Sequence, residues 1–272
     1  MSLLLLQPVF RGFIALALSG AAFPLCGVLV LRLDLIPLRY MLMHGVILGG
    51  ALALALNVPL VPAIIFINCI LVLMMIFLNK THSSFSAPSA AIMVLSMALA
   101  SLIMHVKDVP AKDTLSILWG SPFALTVTNV IILAVAAVLL VLYISLNYKN
   151  ILPIFFSRDI AVAMGIKVRL HETVMIFIVA ITIALAMQLL GAFLIDTLLI
   201  LPVLCAETLM HLTKNQRGIK KLFIFSSVLG FIFSTGGFIL ALKFDFPPAA
   251  TIALTTGALY AILLLFNRRK KS

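Results

Sequence analysis

Residues 128–148 read TNVIILAVAAVLLVLYISLNY, a run of 21 residues without a charged side chain. An α-helix needs about 20 largely apolar residues to cross the hydrocarbon of a bilayer. The rest of the chain is similar: 64% of its 272 residues are hydrophobic and 10% are charged, whereas soluble domains are roughly half apolar. We therefore expect an all-α protein, a polytopic bundle of transmembrane helices.

Eight further apolar runs of comparable length predict eight more spans. The nine predicted spans are residues 12–31, 41–57, 58–78, 87–106, 128–148, 173–190, 192–209, 222–242 and 247–267. The two runs on either side of Gly191 are closely joined and can be divided differently. The prediction is therefore eight or nine spans, with nine preferred, in a single transmembrane domain over residues 1–272.

Basic residues are distributed unevenly between the connections. If residues 149–172 lie in the cytoplasm, 15 of the 19 lysines and arginines lie on that side. The four outside are Arg11, Lys107, Lys112 and Lys243. Because cytoplasmic loops are enriched in basic residues, we predict an outside amino terminus, an inside carboxyl terminus and an outer-face connection at residues 107–127. The net charge of +11 then reflects topology, and we expect no nucleic-acid partner.

The cytoplasmic connection contains SRDIAVAMGIKV at residues 157–168. Apolar residues recur in it at helical spacing, after a charged start and before a glycine stop, which predicts a short amphipathic helix. Such a helix either lies on lipid headgroups or docks against a partner, and the pattern alone does not separate the two. The sequence has no Walker motif, so we expect any ATP hydrolysis to take place on another subunit.

Five short stretches together form a recognisable set of motifs. They are DTLSILWG at 113–120, DIAVAMGIKV at 159–168, GAFLIDTLLILP at 191–202, TGG at 235–237 and DFP at 245–247. In this order and spacing they resemble motifs of the permease subunits of bacterial ABC importers of the zinc, manganese or iron-chelate type. Each motif is weak alone, and together they are specific for that family.

The resemblance implies a type II ABC importer-like homodimer in the bacterial cytoplasmic (inner) membrane, with the translocation path along the dimer axis. It implies that a cytoplasmic ABC ATPase receives the short coupling helix, and that a periplasmic or lipoprotein metal-binding protein delivers the ion. ATP and Mg then belong to the ATPase, and this chain is a transport subunit without catalytic residues or a bound cofactor. The coupling residues implied are Ser157, Arg158, Asp159, Ile160, Ala161, Met164, Gly165 and Ile166.

His44 is the first candidate for the ion path and the one predicted metal ligand. It stands where the resembled family has the histidine of G-D-x-x-x-H, whose aspartate and histidine share one helix face. Tyr40 occupies the aspartate position here, and a phenol is a far poorer ligand for zinc or manganese than a carboxylate. The alternative is that His44 is a helix-packing residue hydrogen-bonded to a neighbour.

Asp196 and Glu207 are the two acids inside a predicted span. Ionisable groups within a bilayer are functional candidates, because leaving them unpaired there is costly. Asp196 either replaces the missing path carboxylate or caps the turn at 190–192. Glu207 is predicted to extend toward Lys214 or Arg217 instead of binding an ion. Small or rigid residues predicted to serve helix packing are Gly45, Gly49, Pro202, Gly236 and Gly237.

Two other classes of protein remain as alternatives. A secondary transporter should have inverted repeats and coupling acids near the membrane midplane, and an integral-membrane enzyme should have a dense acidic or histidine cluster at one face. The eight acids are scattered along the chain, which favours neither. Within the transporter interpretation the cargo is a divalent ion, zinc first and manganese or iron next, or alternatively a chelated metal or organic ligand.

Overall fold

The computed structural model describes residues 6–79, 85–110, 112–113, 120–212 and 218–269. Most of the motif at 113–120 lies outside these residues, as do Lys214 and Arg217, the predicted partners of Glu207. Within the described chain the regular structure is α-helical, apart from one 3₁₀ turn at Pro122–Ala124.

Ten α-helices follow one another along the described chain. They are α1 Gln7–Arg32, α2 Ile36–Leu56, α3 Leu60–Leu78, α4 Ser86–Val106, α5 Val127–Phe156, α6 Arg158–Ala163, α7 Val168–Leu190, α8 Ala192–Leu212, α9 Ile219–Phe244 and α10 Pro248–Arg269. All but α6 are long and apolar enough to cross a membrane, which gives nine candidate spans among the described residues. The predicted all-α bundle with nine spans is confirmed to that extent.

Proline, glycine and left-handed residues separate consecutive helices. Asn57 has a φ of 54° at the end of α2, and Pro59 then precedes α3. Asp245 has the same φ at the end of α9. Gly191 separates α7 from α8 with φ 95° and ψ 144°, a conformation open essentially to glycine alone. The division of the 173–209 region into two helices therefore follows from a single residue.

The long connection predicted at 149–172 is largely helical in the structure. Helix α5 runs for 30 residues to Phe156 and includes Pro153, and α7 begins at Val168, five residues before the predicted start of its span. The helix continues past residue 148 because Asn147, Tyr148 and Lys149 are polar without breaking a helix. Polarity marks where a span leaves the hydrocarbon, but not where its helix ends.

The chain divides into two compact units. One unit comprises residues 29–120 and 142–192, and in it α2 packs against α3, α4 and α7 while α3 also packs against α7. A Cβ at Gly49 would lie 2.8 Å from the Cα of Ile64, and one at Gly45 would collide with Asn68 Oδ1. These glycines let α2 and α3 approach closely, as lipid-embedded helices do where small residues face each other.

The other unit comprises residues 1–28, 121–141 and 193–272. Here Gly20 of α1 and Gly230 of α9 each face the other's backbone carbonyl, and Ser227 Oγ donates a hydrogen bond of 2.6 Å to the carbonyl of Ala21. Helices α9 and α10 meet at Gly237, where a Cβ would lie 2.7 Å from Ile252 Cγ1. Gly236 differs, because its Cβ would meet nothing within 4 Å among the described residues.

Pro202, the remaining predicted packing residue, is buried inside α8. A proline in a helix has no N–H to donate to the preceding turn, so it leaves a carbonyl of α8 without its helical partner. Such a position is tolerated in transmembrane helices where neighbouring groups compensate.

We expect Gly49→Ala to lower the stability of the protein by about 1–3 kcal/mol, because the new methyl group meets backbone of α3 that cannot rotate away. Gly236→Ala is the matched control, since it adds the same methyl group to a helix with open space around it. It should leave stability unchanged or raise it by up to about 1 kcal/mol. Thermal unfolding of the purified variants in detergent measures both, and equal effects would contradict the packing account.

Candidate functional site

Helix α6 is short, and side-chain chemistry defines its start. Ser157 adopts an extended conformation, with φ −164° and ψ 131°, and its Oγ accepts a hydrogen bond from the N–H of Ile160 at 3.5 Å. Serine is among the favoured N-cap residues, because its oxygen satisfies an amide that has no helical partner. Asp159 in the first turn is also favourable beside the positive end of the helix dipole.

A glycine turn ends α6. The N–H of Gly165 donates to the carbonyl of Val162 at 2.9 Å, and the N–H of Ile166 donates to that of Ala161 at 3.0 Å. This pair of bonds is a Schellman motif, and Gly165 adopts the left-handed conformation it requires, with φ 78°. The predicted helix over 157–168 is therefore shorter in the structure, because Gly165 stops it and Val168 already belongs to α7.

Three large apolar side chains on α6 and its cap are exposed. Ala161 is fully buried, whereas Ile160, Val162 and Met164 are 55%, 61% and 62% exposed. Leu170 at the start of α7 is exposed as well. Single exposed apolar side chains are ordinary, but three large ones on a six-residue helix and its cap leave apolar surface suited to a partner, and we call these three side chains the α6 patch.

An open cavity of about 570 Å³ adjoins this patch. It is lined by Val162, Lys167, Val168, Arg169, Leu170 and Thr173. Four of these side chains are apolar or neutral, and the other two are basic and exposed. We use the name α6 corner for residues 157–173, which include the patch and the cavity.

An ion pair joins the two helices of the α6 corner. Arg158 Nε donates to Glu172 Oε1 at 2.7 Å, and Glu172 is buried while Arg158 is half-exposed. Sequence reasoning placed Arg158 on the coupling helix but left Glu172 without a role. The pairing depends on the turn between α6 and α7, which the spacing of 14 residues does not reveal.

Tyr40 and His44 lie together near the start of α2. His44 Nδ1 is 2.8 Å from the backbone carbonyl of Tyr40. A carbonyl only accepts, so Nδ1 carries the proton and Nε2 of the neutral ring keeps a lone pair. The imidazole is half-buried, and Tyr40 is 44% exposed. Both predicted roles of His44 are compatible with this geometry, because Nδ1 is hydrogen-bonded as a packing residue would be while Nε2 could still bind a metal.

The guanidinium group of Arg39 lies against the ring of Tyr40. The guanidinium carbon of Arg39 lies 4.4 Å from the centre of the Tyr40 ring, and Arg39 is 6% exposed. This is a cation–π distance. The helix face on which the resembled family has an aspartate therefore has a phenol with an arginine over it. Arg39 is not among the predicted site residues, because the motif comparison drew attention to the aspartate that Tyr40 replaces.

Asn68 is a second residue that sequence reasoning missed. It is 2% exposed in the middle of α3 and donates from Nδ2 to the carbonyl of Ile64 at 3.0 Å. Its Oδ1 has no conventional donor among the described residues and lies against Gly45, the neighbour of His44. A weak Cα–H···O contact is the interaction available there. The signal that could have identified it is a carboxamide in an otherwise apolar span.

Asp196 and Glu207 are both half-buried on α8. Asp196 is the fifth residue of α8 and belongs to a different unit from Tyr40 and His44. Its two predicted roles stay predictions. Across the described residues, histidine, cysteine and acidic side chains do not gather in groups of three or more that could hold a metal ion.

Comparison with known proteins identifies the family. The model of the ABC 3 transport family matches residues 6–267, nearly the whole chain. The chain belongs to the ABC 3 transport family. It is a multi-pass membrane protein and a transport component, as the sequence motifs implied.

Relatives of this ABC 3 family protein include named metal transporters. It is 26% identical over 235 residues to the high-affinity zinc uptake system membrane protein ZnuB of Haemophilus influenzae, covering 84% of this chain and 85% of that protein. It is 24% identical over 219 residues to the manganese import system permease protein ScaB of Streptococcus gordonii, covering 80% and 77%. These are similarities of sequence over most of each chain.

A solved structure shares the fold of this family member. The structure described as PsaBC from Streptococcus pneumoniae in complex with Fab matches with a TM-score of 0.78 and 20% sequence identity. The match covers 94% of this chain and 91% of that one. The ABC 3 chain therefore has the same fold as that structure.

We expect Gly165→Ala to loosen α6, because a side chain at a φ of 78° costs roughly 1–2 kcal/mol. If α6 opens locally, hydrogen exchange of residues 157–168 should become roughly 5- to 30-fold faster. Gly257→Ala is the control, since Gly257 also has open space around it but no positive φ. Unchanged exchange in Gly165→Ala would show that the glycine cap does not hold α6.

Proposed function

We propose that this chain is the permease subunit of an ABC importer that moves a divalent metal ion into the cytoplasm, zinc first and manganese or iron next. The observation that carries the proposal is the family match over residues 6–267, together with relatives named for zinc uptake and manganese import. In this proposal the chain acts as a homodimer in the bacterial inner membrane, with its amino terminus outside and its carboxyl terminus inside.

The energy source in this proposal is a separate cytoplasmic ATPase that binds ATP and Mg. The α6 corner supports it, because α6 is capped at both ends and exposes Ile160, Val162 and Met164. A docked ATPase would cover these apolar side chains. Movement of the ATPase on binding or hydrolysing nucleotide would then shift the helices and alternate access between the two sides of the membrane.

In this proposal a separate binding protein delivers the ion from outside. Across the membrane, His44 and Asp196 are the proposed path residues. The lone pair on His44 Nε2 suits zinc, which binds imidazole nitrogen readily. Asp196 supplies a carboxylate within a span, and Tyr40 takes the place of a second one.

One observation favours a second candidate, a permease for a chelated metal or another anionic ligand. Arg39 is buried and stacked over Tyr40, so a guanidinium lies beside one of the proposed path residues. A guanidinium can bind a carboxylate through two parallel hydrogen bonds, so it suits the carboxylates of a chelate. The distinguishing measurement is which metal enters and whether a chelator must accompany it.

The first test measures zinc, manganese and iron in cells that lack this chain, by elemental mass spectrometry. We expect one metal to fall at least several-fold under limitation of that metal, and the wild-type chain to restore it. His44→Ala should restore much less, whereas His105→Ala should restore fully, because His105 is exposed at the end of α4. No change in any metal, in a strain without a second importer for it, would contradict the bare-ion proposal.

The second test concerns Asp196. We expect Asp196→Asn to reduce uptake of the same metal by roughly ten-fold or more while purified protein keeps its thermal stability, since the amide preserves the shape but removes the negative charge. Glu207→Gln is the control, because it removes the other acid of α8. If Asp196→Asn transports like wild type and is equally stable, Asp196 has no path role.

A further inference from the structure

The ion pair between Arg158 and Glu172 connects elements that are otherwise weakly joined. Arg158 is the first residue of α6 and Glu172 is the fifth of α7. Their Nε and Oε1 atoms are 2.7 Å apart, the length of a strong charge-assisted hydrogen bond. The carboxylate side is 11% exposed and the guanidinium side 41%, so the pair is partly shielded from water.

We propose that this ion pair is the positioning element through which movement of α6 is passed to α7. The proposal rests on the proposed function, in which an ATPase moves α6, and it assigns Arg158 and Glu172 a role in that coupling. Neither residue need touch the cargo or the nucleotide.

The turn between α6 and α7 explains why a further contact between the two helices is needed. Four residues, Met164 to Lys167, separate α6 from α7, and Gly165 among them is the one with a left-handed backbone and open space around it. A helix of six residues is not stable alone in water. Without the pair, a force on α6 would be absorbed by rotation at this turn or by fraying of α6 itself.

From Glu172 onward, the packing of α7 is well suited to transmit a movement of α6 to other helices. Helix α7 is mostly buried and packs against α2 and α3 within the same unit. Closely packed interiors transmit displacement because they have few voids to absorb it. A shift of α7 therefore reaches α2, the helix on which Tyr40 and His44 lie.

A charge of the α6 corner supplies a matched control. Arg169 is exposed beside the cavity and lies outside α6. Neutralising it changes the net charge of the corner as much as neutralising Arg158 does. An effect of the ion pair on coupling can therefore be distinguished from an effect of corner charge on docking of the ATPase.

The first measurement needs no cargo. Spin labels at Val162→Cys on α6 and Leu56→Cys at the end of α2, in a chain whose three native cysteines are alanine, report the spread of distances between α6 and its unit. We expect Arg158→Gln and Glu172→Gln to broaden this distribution clearly, and Arg169→Gln to leave it unchanged. A distribution that stays narrow without the pair would overturn the proposal.

The second measurement uses the purified complex with its ATPase in proteoliposomes and records metal uptake and ATP hydrolysis together. We expect Arg158→Gln and Glu172→Gln to keep ATP hydrolysis but to lower the metal moved per ATP about ten-fold. Arg158→Lys keeps the charge and should recover part of the loss, as should the exchanged pair Arg158→Glu with Glu172→Arg.

Three results separate the possible failures. Normal metal moved per ATP in both single variants would overturn the proposal. A parallel fall of uptake, hydrolysis and thermal stability would also overturn it, since the pair would then merely hold the fold together. If the wild-type complex moves no metal, the proposed function is wrong. The width of the spin-label distance distribution still decides whether the ion pair fixes the position of α6 within its unit.

Discussion

The hydrocarbon of the bilayer is the constraint on which the rest of this structure depends. It offers no hydrogen bonds, so each spanning segment must satisfy its backbone within the protein. The nine long helices of the described chain do so through their helical hydrogen bonds, except where a proline such as Pro202 interrupts the pattern. The hydrocarbon also gives apolar surfaces little reason to associate, so helices meet where glycines allow close contact, as at Gly49 against Ile64 and Gly237 against Ile252. Polar side chains inside the spans then stand out as exceptions that need an explanation.

Helix α6 depends on different interactions, because six residues are too few for a helix to be stable alone. Six helical residues depend on the Ser157 cap, the Gly165 turn and the Arg158–Glu172 ion pair for their position. The α6 corner exposes apolar side chains that nothing in the described chain covers. A small, well-positioned helix with uncovered apolar side chains is suited to transmitting movement from a partner and has no need of chemistry of its own.

The sequence predicts the fold well because length and hydropathy decide where a chain can cross a bilayer. The start of α4 and the end of α3 agree with prediction to a residue, whereas α5 overruns its predicted end because a helix continues in water beyond the hydrocarbon. Within the site, the Gly165 stop was predictable from glycine's backbone freedom. The Arg158–Glu172 pair and the burial of Arg39 and Asn68 depend on how helices pack, which spacing does not give.

The most direct test of the account is whether ATP alone drives metal through this chain. The complex purified through a tag on this chain would be placed in proteoliposomes with its binding protein on the side opposite α6. Accumulation of radioactive zinc and manganese would then be followed with ATP or ADP at the α6 side, with and without a protonophore. We expect accumulation that requires ATP and survives the protonophore. Accumulation without ATP that the protonophore abolishes would contradict the account and identify a secondary transporter.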